Sequence, residues 1–390
     1  MTVLEFVPPT NPIHKIQPAL YEAACRAQQE VFVRVYSDAA SFLQHVIADL
    51  RISIQIPQEL RSVSAASFVE KTFVEFQGFF SELLQGQAYP EQAVLSTSQA
   101  LATRAMLTRA FSDPDEAVAY VRDKIIEVVQ AFPRTGADME CGRNKGDVLD
   151  PFILAAAQYL LYQGEFDGAI SATVSHKALM MIEGLLGHLH EDVLGRMRGN
   201  VRIPEPRGKD QEMFDYVTNP FPGADLLQVP TRERERVRLH QIKSKTGSAK
   251  GGDGKRLGDQ LQFLSEKYDA GIYYDALVGN TLVGHRSRAG VEKAAPEIAV
   301  LVGQAAFAQL TGSAHGASFL LRLYQESFRA ASAKSGYSIA EVTQTIVGHF
   351  KERAEKAGET FLEVVLQTST GGRAVDQDSR FNSQKGGSLF

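Results

Sequence analysis

The chain has no tryptophan and only two cysteines, Cys25 and Cys141. Two thiols cannot build a disulfide framework or a four-ligand zinc site, so a reducing compartment is the default expectation. A run of the ~20 apolar residues needed to span a bilayer is also missing. The longest apolar stretches, 151–162 and 298–310, are shorter and contain glutamine, and each reads as a buried helix. The opening residues, Met1-Thr2-Val3-Leu4-Glu5, carry no basic region, and Pro8 and Pro9 interrupt any apolar stretch, which argues against a secretory signal. A large charge excess is absent too: 41 Lys+Arg face 46 Asp+Glu, a formal net charge of -5. That excludes a histone-like polycation but not a nucleic-acid partner, because local distribution matters more than the sum. What remains is a globular cytoplasmic protein with no membrane partner, long enough for two or three domains.

The first ~200 residues read as helix after helix, with apolar residues at three- and four-residue spacing through 16–50, 68–84, 100–111 and 117–132. Ser112-Asp113-Pro114 looks like a helix start, with a capping side chain and proline in the first turn. Helices follow at 147–162 and 175–194, separated by Gly164 and Gly168. Then the pattern changes. Asn219-Pro220-Phe221-Pro222-Gly223 signals a turn, and strand-like runs follow at 224–229, 236–244, 271–278 and 281–285, with a helix at 257–268 between the second and third. Helices return at 291–310, 317–334 and 339–357, while 361–366 suits a further strand. The expected fold class is α/β (α+β): a helical region over 1–146, a mixed-sheet core with flanking helices over 147–368, and a polar tail over 369–390.

The segment 222–259 carries the chemistry. Asp225 follows a Pro-Gly turn, and sixteen residues later a strand presents Gln241-Ile242-Lys243. Side chains alternate along a strand, so Gln241 and Lys243 share a face, and pairing of the two strands brings Asp225 beside them. An acid and an amide oxygen, with the Ile242 carbonyl, suit a hard cation such as Mg²⁺. Lys243 is then placed to orient an attacking water or to stabilise charge on a phosphoryl group. Between 231 and 256 nine Lys/Arg stand against three acids, a local excess of +6 in a chain whose total is -5. Such a concentration is the footprint of a phosphate-backbone partner. Gly247, Gly251, Gly252 and Gly254 let the loop backbone approach phosphates closely. The competing reading of each feature is plain: an exposed strand lysine, and a solvated charged loop.

Other motifs fail or stay open. Aligning a nucleotide-binding P-loop on Gly254-Lys255 puts Ala249 at its first glycine and Arg256 at its hydroxyl position. Gly312-Ser313-Ala314-His315-Gly316 has its serine one position early for a nucleophile elbow. On the 175–194 helix, His176, Glu183 and His190 recur every seven residues and fall roughly on one face. Metal binding by His188 and His190 competes there with the commoner reading, histidines at the surface or core edge. Met180, Met181, Leu185 and Leu186 read most simply as core.

The segments YLLYQGEFDG (159–168) and QIKSKTGSAKGGDGK (241–255) resemble AvaI- and BsoBI-type restriction endonucleases of the PD-(D/E)xK superfamily, over roughly residues 150–290. The resemblance implies a homodimeric, Mg²⁺-dependent type II enzyme cutting palindromic double-stranded DNA. Asp225, Gln241 and Lys243 match its acid, Glu/Gln and Lys. A carboxylate from a helix preceding the sheet is then expected as a further catalytic and metal-binding group, and Glu183 is the candidate. Lys245, Lys250, Lys255 and Arg256 would contact phosphates, with Asn280, His285, Arg286 and Arg288 as candidates for reading bases. One departure matters. Gln241 stands where those relatives carry Glu, which weakens a metal site or marks a protein that binds DNA or RNA without cutting.

Overall fold

A computed structural model of the chain describes residues 11–141, 149–206, 218–230, 235–245, 253–279, 286–335 and 339–370. The fold is α/β (α+β): a five-stranded mixed sheet flanked by helices. The chain divides into two compact units, Met1–Arg122 with Leu186–Arg329, and Asp123–Leu185 with Ala330–Phe390. Each is discontinuous in sequence, whereas composition suggested cuts after 146 and 368. Among the described residues no helix is long and apolar enough to cross a membrane.

The first unit holds the sheet: β1 (Asn200–Arg202), β2 (Leu226–Gln228), β3 (Arg238–Lys245), β4 (Gly271–Val278) and β5 (Ala299–Val302), adjacent in that order. β1, β2 and β3 pair antiparallel; β3, β4 and β5 pair parallel. Parallel neighbours require crossovers, and the helices Asp253–Tyr268 and Arg286–Ala294 supply them. In the first of these, Leu257, Leu261, Leu264 and Tyr268 recur at helical spacing. They form a buried cluster with Leu227, Leu239, Ile272, Tyr274 and Ala276 of the sheet. Ile13, Tyr21 and Ala24 join the same cluster from the N-terminal helices Pro12–Ile16 and Pro18–Gln29. The Asn11 amide nitrogen donates to the carbonyl of Tyr268 at 2.8 Å. The helix expected after Ser112-Asp113-Pro114 is present as Pro114–Ala131, with the Glu116 N–H donating to Asp113 Oδ1 at 2.8 Å.

Several local expectations are overturned, each for a physical reason. Residues 291–310 are not one helix. Pro296 forces Ala295 out of helical conformation, the Ala-Val-Leu-Val run pairs with β4 as β5, and a tight turn at Gly303 starts a new helix, Gln304–Thr311. At Gly303 φ is +58°, and a Cβ would come within 2.6 Å of the Gly279 carbonyl, so only glycine turns there. Residues 361–366 belong to a helix, Phe361–Thr370, because Phe361 and Val365 bury one helical face in the core of the second unit. Gly168 lies inside the Phe166–Leu194 helix rather than before it; a Cβ there would meet the Tyr162 ring at 2.2 Å. Met180 is 52% exposed, not core. Residues 151–162 are helical but not buried: Leu154 and Ala157 enter the core while most of the large side chains face out. The strand-like run 281–285 lies outside the described residues.

Candidate active site

Leu226 stands opposite His240 in the antiparallel β2–β3 pair, and Asp225, one residue before β2, lies beside Gln241. The Asp225 N–H donates to the His240 carbonyl at 2.7 Å, and the Ile203 N–H donates to the Asp225 carbonyl at 2.8 Å. The aspartate backbone is thus locked between neighbouring segments. Its Oδ2 accepts from the Gln241 amide nitrogen at 2.5 Å and from the Ile242 N–H at 2.6 Å. Along this face of β3 the side chains pass from fully buried Leu239, through buried Gln241, to half-buried Lys243. The lysine charge acts on both Asp225 and Glu191. The structure therefore brings Asp225, Gln241 and Lys243 together.

Two residues that sequence reasoning missed complete the group. Arg202, at the end of β1, donates from Nη1 to Asp225 Oδ1 at 3.3 Å and to the Asp225 carbonyl at 3.0 Å. Its Nη2 meets Glu191 Oε2 at 2.5 Å and Glu205 Oε1 at 2.8 Å, and its Nε faces Asp192 at 3.4 Å. One guanidinium thus serves four carboxylates, a role its planar fork of donors suits. Glu191 lies near the end of the Phe166–Leu194 helix. Burial, then the negative charge of Asp225, pushes its carboxyl up to about 8, with Arg202 and Lys243 pulling the other way. Burial also raises the Asp225 carboxyl, opposed by Arg202, the Ile242 N–H and Lys243. Burial and the mutual repulsion of the two acids favour a proton within the pair, against the pull of their positive neighbours.

Glu183, the carboxylate chosen from sequence, sits on the same helix eight residues earlier, exposed and within the second unit; the helical acid set against Asp225 is Glu191. His190 is a half-buried core histidine: its Nδ1 meets the Tyr324 hydroxyl at 2.7 Å, and burial lowers it to about 4. His188 is exposed, and one ligand atom from each of His188, Glu191 and Glu205 lies within 4.8 Å of the others. Of the phosphate candidates, Lys255 is exposed and paired with Asp259 at 2.8 Å, and Arg256 is exposed. Arg288 pairs with Glu292 at 2.6 Å. Lys250, Asn280, His285 and the side chains of Lys245 and Arg286 lie outside the described residues. Arg236 and Arg238 are also engaged, with Asp269 and Glu235, so part of the local positive excess is held in surface ion pairs. Such pairs are weak and exchange readily for phosphate.

The carboxylates of Asp225, Glu191 and Glu205 are oxygen donors of the kind a hard cation takes, and in this structure Arg202 bonds all three. Gln241 presents its NH₂ to both Asp225 and Ile242, the second contact at 3.0 Å. For its oxygen to act as a ligand, the amide must turn over. The opposite face of β3 carries a different polar cluster. His240 Nδ1 meets Asp275 Oδ2 at 2.8 Å and its Nε2 meets Gln228 Oε1 at 3.0 Å, with His240 and Asp275 wholly buried. The Gln228 amide nitrogen donates to Asn200 Oδ1 at 2.5 Å, and the Asn200 amide nitrogen donates to the carbonyls of Leu194 and Leu310. Backbone carbonyls thus orient the chain of amides and make His240 Nε2 a donor to Gln228 Oε1. No family model matches the sequence, and no curated protein does either.

Proposed function

We propose that this protein is a restriction-endonuclease-type nuclease that hydrolyses phosphodiester bonds in double-stranded DNA with Mg²⁺. The observation that supports this reading best is the placement of Asp225 beside Gln241, with the charge of Lys243 on the same face and Glu191 on the adjoining helix. Asp225, Glu191 and the Ile242 carbonyl would hold the cation. Bound there, Mg²⁺ supplies Lewis acidity toward a phosphoryl oxygen and lowers the pKa of a water. Lys243 orients the attacking water and offsets the charge that builds on the phosphoryl oxygens. Arg202 keeps the carboxylates in place. Lys245, Lys250, Lys255 and Arg256 are the candidates for holding phosphates, and Arg286 and Arg288 for reading bases. A cytoplasmic homodimer acting on a palindromic site belongs to the same proposal.

A second reading, a DNA-binding protein that does not cut, is favoured by one observation. Arg202 and the Gln241 NH₂ already satisfy Asp225 without a metal. Duplex DNA incubated with Mg²⁺ or with a chelator separates the two. Discrete fragments that require Mg²⁺, and that vanish in Lys243→Ala and Asp225→Ala, are the expected result. Retarded mobility without fragments selects the second reading. Absence of any binding that weakens with salt removes both.

A further inference from the structure

The stretch 151–162 runs as a helix, Pro151–Ala156, that widens into a π-helical turn, Ala157–Leu161. Asp150 caps its start, with Oδ1 accepting the N–H groups of Phe152 and Ile153 at 2.8 and 3.1 Å. Its end is tied by the Gln158 amide nitrogen donating to the Gly164 carbonyl at 2.8 Å. Inserted π-turns are uncommon and gather at functional positions. Here the buried side is narrow, with Leu154, Ala157 and Gln158 turned inward. Phe152, Ile153, Tyr159, Leu160, Leu161 and Tyr162 are left exposed, Leu160 to 81% and Phe152 to 73%. Phe152, Ile153, Ala156, Tyr159 and Leu160 recur at helical spacing and so present one face. Between Pro151 and Gly164 no side chain is charged.

We propose that this face is the interface between two copies of the chain, paired about a two-fold axis. Residues of this size bare roughly 150–250 Å² each when fully exposed, so the six together present on the order of 700 Å². The largest apolar patch on an ordinary monomer is about 300–600 Å². Each partner in a standard stable interface contributes about 800 Å². The other large apolar residues exposed among the described positions are mostly scattered singly or in twos, so the chain shows no second apolar face of comparable size for a head-to-tail contact. An isologous pairing needs none, because the same face serves both sides. Asp150, Glu165 and Asp167 bracket the patch with negative charge, which disfavours an anionic lipid surface as its occupant.

Pairing of two copies belongs to the nuclease reading; its placement on this face is argued from the surface of the second unit alone, and its test uses neither DNA nor metal. Sedimentation velocity of the full chain over a wide concentration series should show twice the chain mass. Leu160→Glu and Phe152→Glu should each weaken the dimer at least about tenfold, with far-UV circular dichroism unchanged because both side chains point outward. Leu160→Gln, a milder change, keeps the test valid if the glutamates disturb folding. A wild-type chain that stays monomeric at the highest concentration overturns the proposal, as does a dimer that all three variants leave intact. A monomer that sediments with neutral phosphatidylcholine vesicles, or that dimerises only when 371–390 are removed, assigns the face to another occupant.

Discussion

The two faces of β3 each bury an aspartate whose carboxyl is pushed upward by burial, yet they do different things. On the face of His240, Asp275 meets a single imidazole, and that imidazole belongs to a chain of amides ending on backbone carbonyls. His240 and Asp275 are wholly buried. On the face of Gln241, Asp225 meets Arg202, the Gln241 amide and a backbone N–H, and shares its positive neighbours with Glu191. That group continues to half-buried Lys243, near the end of β3. A buried acid with a raised pKa is therefore not itself a sign of chemistry. The difference is made by surplus donors and by access for an outside ligand.

Four tests would break or sharpen this contrast. The largest effect is expected for Lys243→Ala and Asp225→Ala. Each should lower DNA cleavage by about 10³-fold, near 4 kcal/mol of barrier, with little change in the urea midpoint for the half-buried lysine. On the other face, His240→Ala should cost about 3 kcal/mol of stability in urea unfolding, by stranding Asp275, and should leave any metal affinity of the surviving folded protein unchanged. The double variant His240→Phe with Asp275→Leu should recover much of that loss, since apolar replacement of both partners removes the stranded charge. A double variant no more stable than the single one would show that the pair contributes specificity of packing and not merely compensation.

Proton linkage gives the third test. Glu191 holds its proton up to about 8 when folded, against an ordinary value of 4.5, so the folded state carries an extra proton between those limits. The group's contribution to stability is therefore greatest below the ordinary carboxylate range and falls as pH rises toward about 8. A cation must displace that proton. Mg²⁺ affinity measured by calorimetry should thus strengthen by up to about tenfold per pH unit and level off above about 8. Glu191→Gln should flatten the profile. The smallest effect is expected for Gln241→Glu, which adds a ligand charge and should tighten Mg²⁺ by about threefold to tenfold. No change would mean that the amide already turns its oxygen to the cation.

Asp225, Gln241 and Lys243 were legible in the sequence because strand alternation and a Pro-Gly turn are local signals that fix relative placement over a short span. Arg202 and Glu191 were not. Arg202 sits on a three-residue strand with no periodicity to betray it, and the choice between Glu183 and Glu191 depends on where a long helix meets the sheet. The His240–Asp275 pair joins β3 to β4 across a crossover helix, which register alone reveals. Hydropathy identified 151–162 as seeking cover but could not say that its own core takes only one narrow side. The composition also hid β5, whose run of apolar residues fits helix or strand equally until Pro296 and the β4 edge decide.

The bond from Asn11 to Tyr268 has a consequence for how the molecule is made. The first helices of the chain complete a cluster whose other walls lie about 180 to 280 residues downstream, on the order of a whole domain's length. As the polypeptide leaves the ribosome, Ile13 and Tyr21 emerge early and wait for Leu261 and Ile272 with their apolar sides uncovered. Synthesis at roughly 5–20 residues per second makes that wait tens of seconds long, and closing so distant a contact is entropically slow. The interval of synthesis between these two groups, more than the finished fold, is when this architecture has most apolar surface open to misassembly.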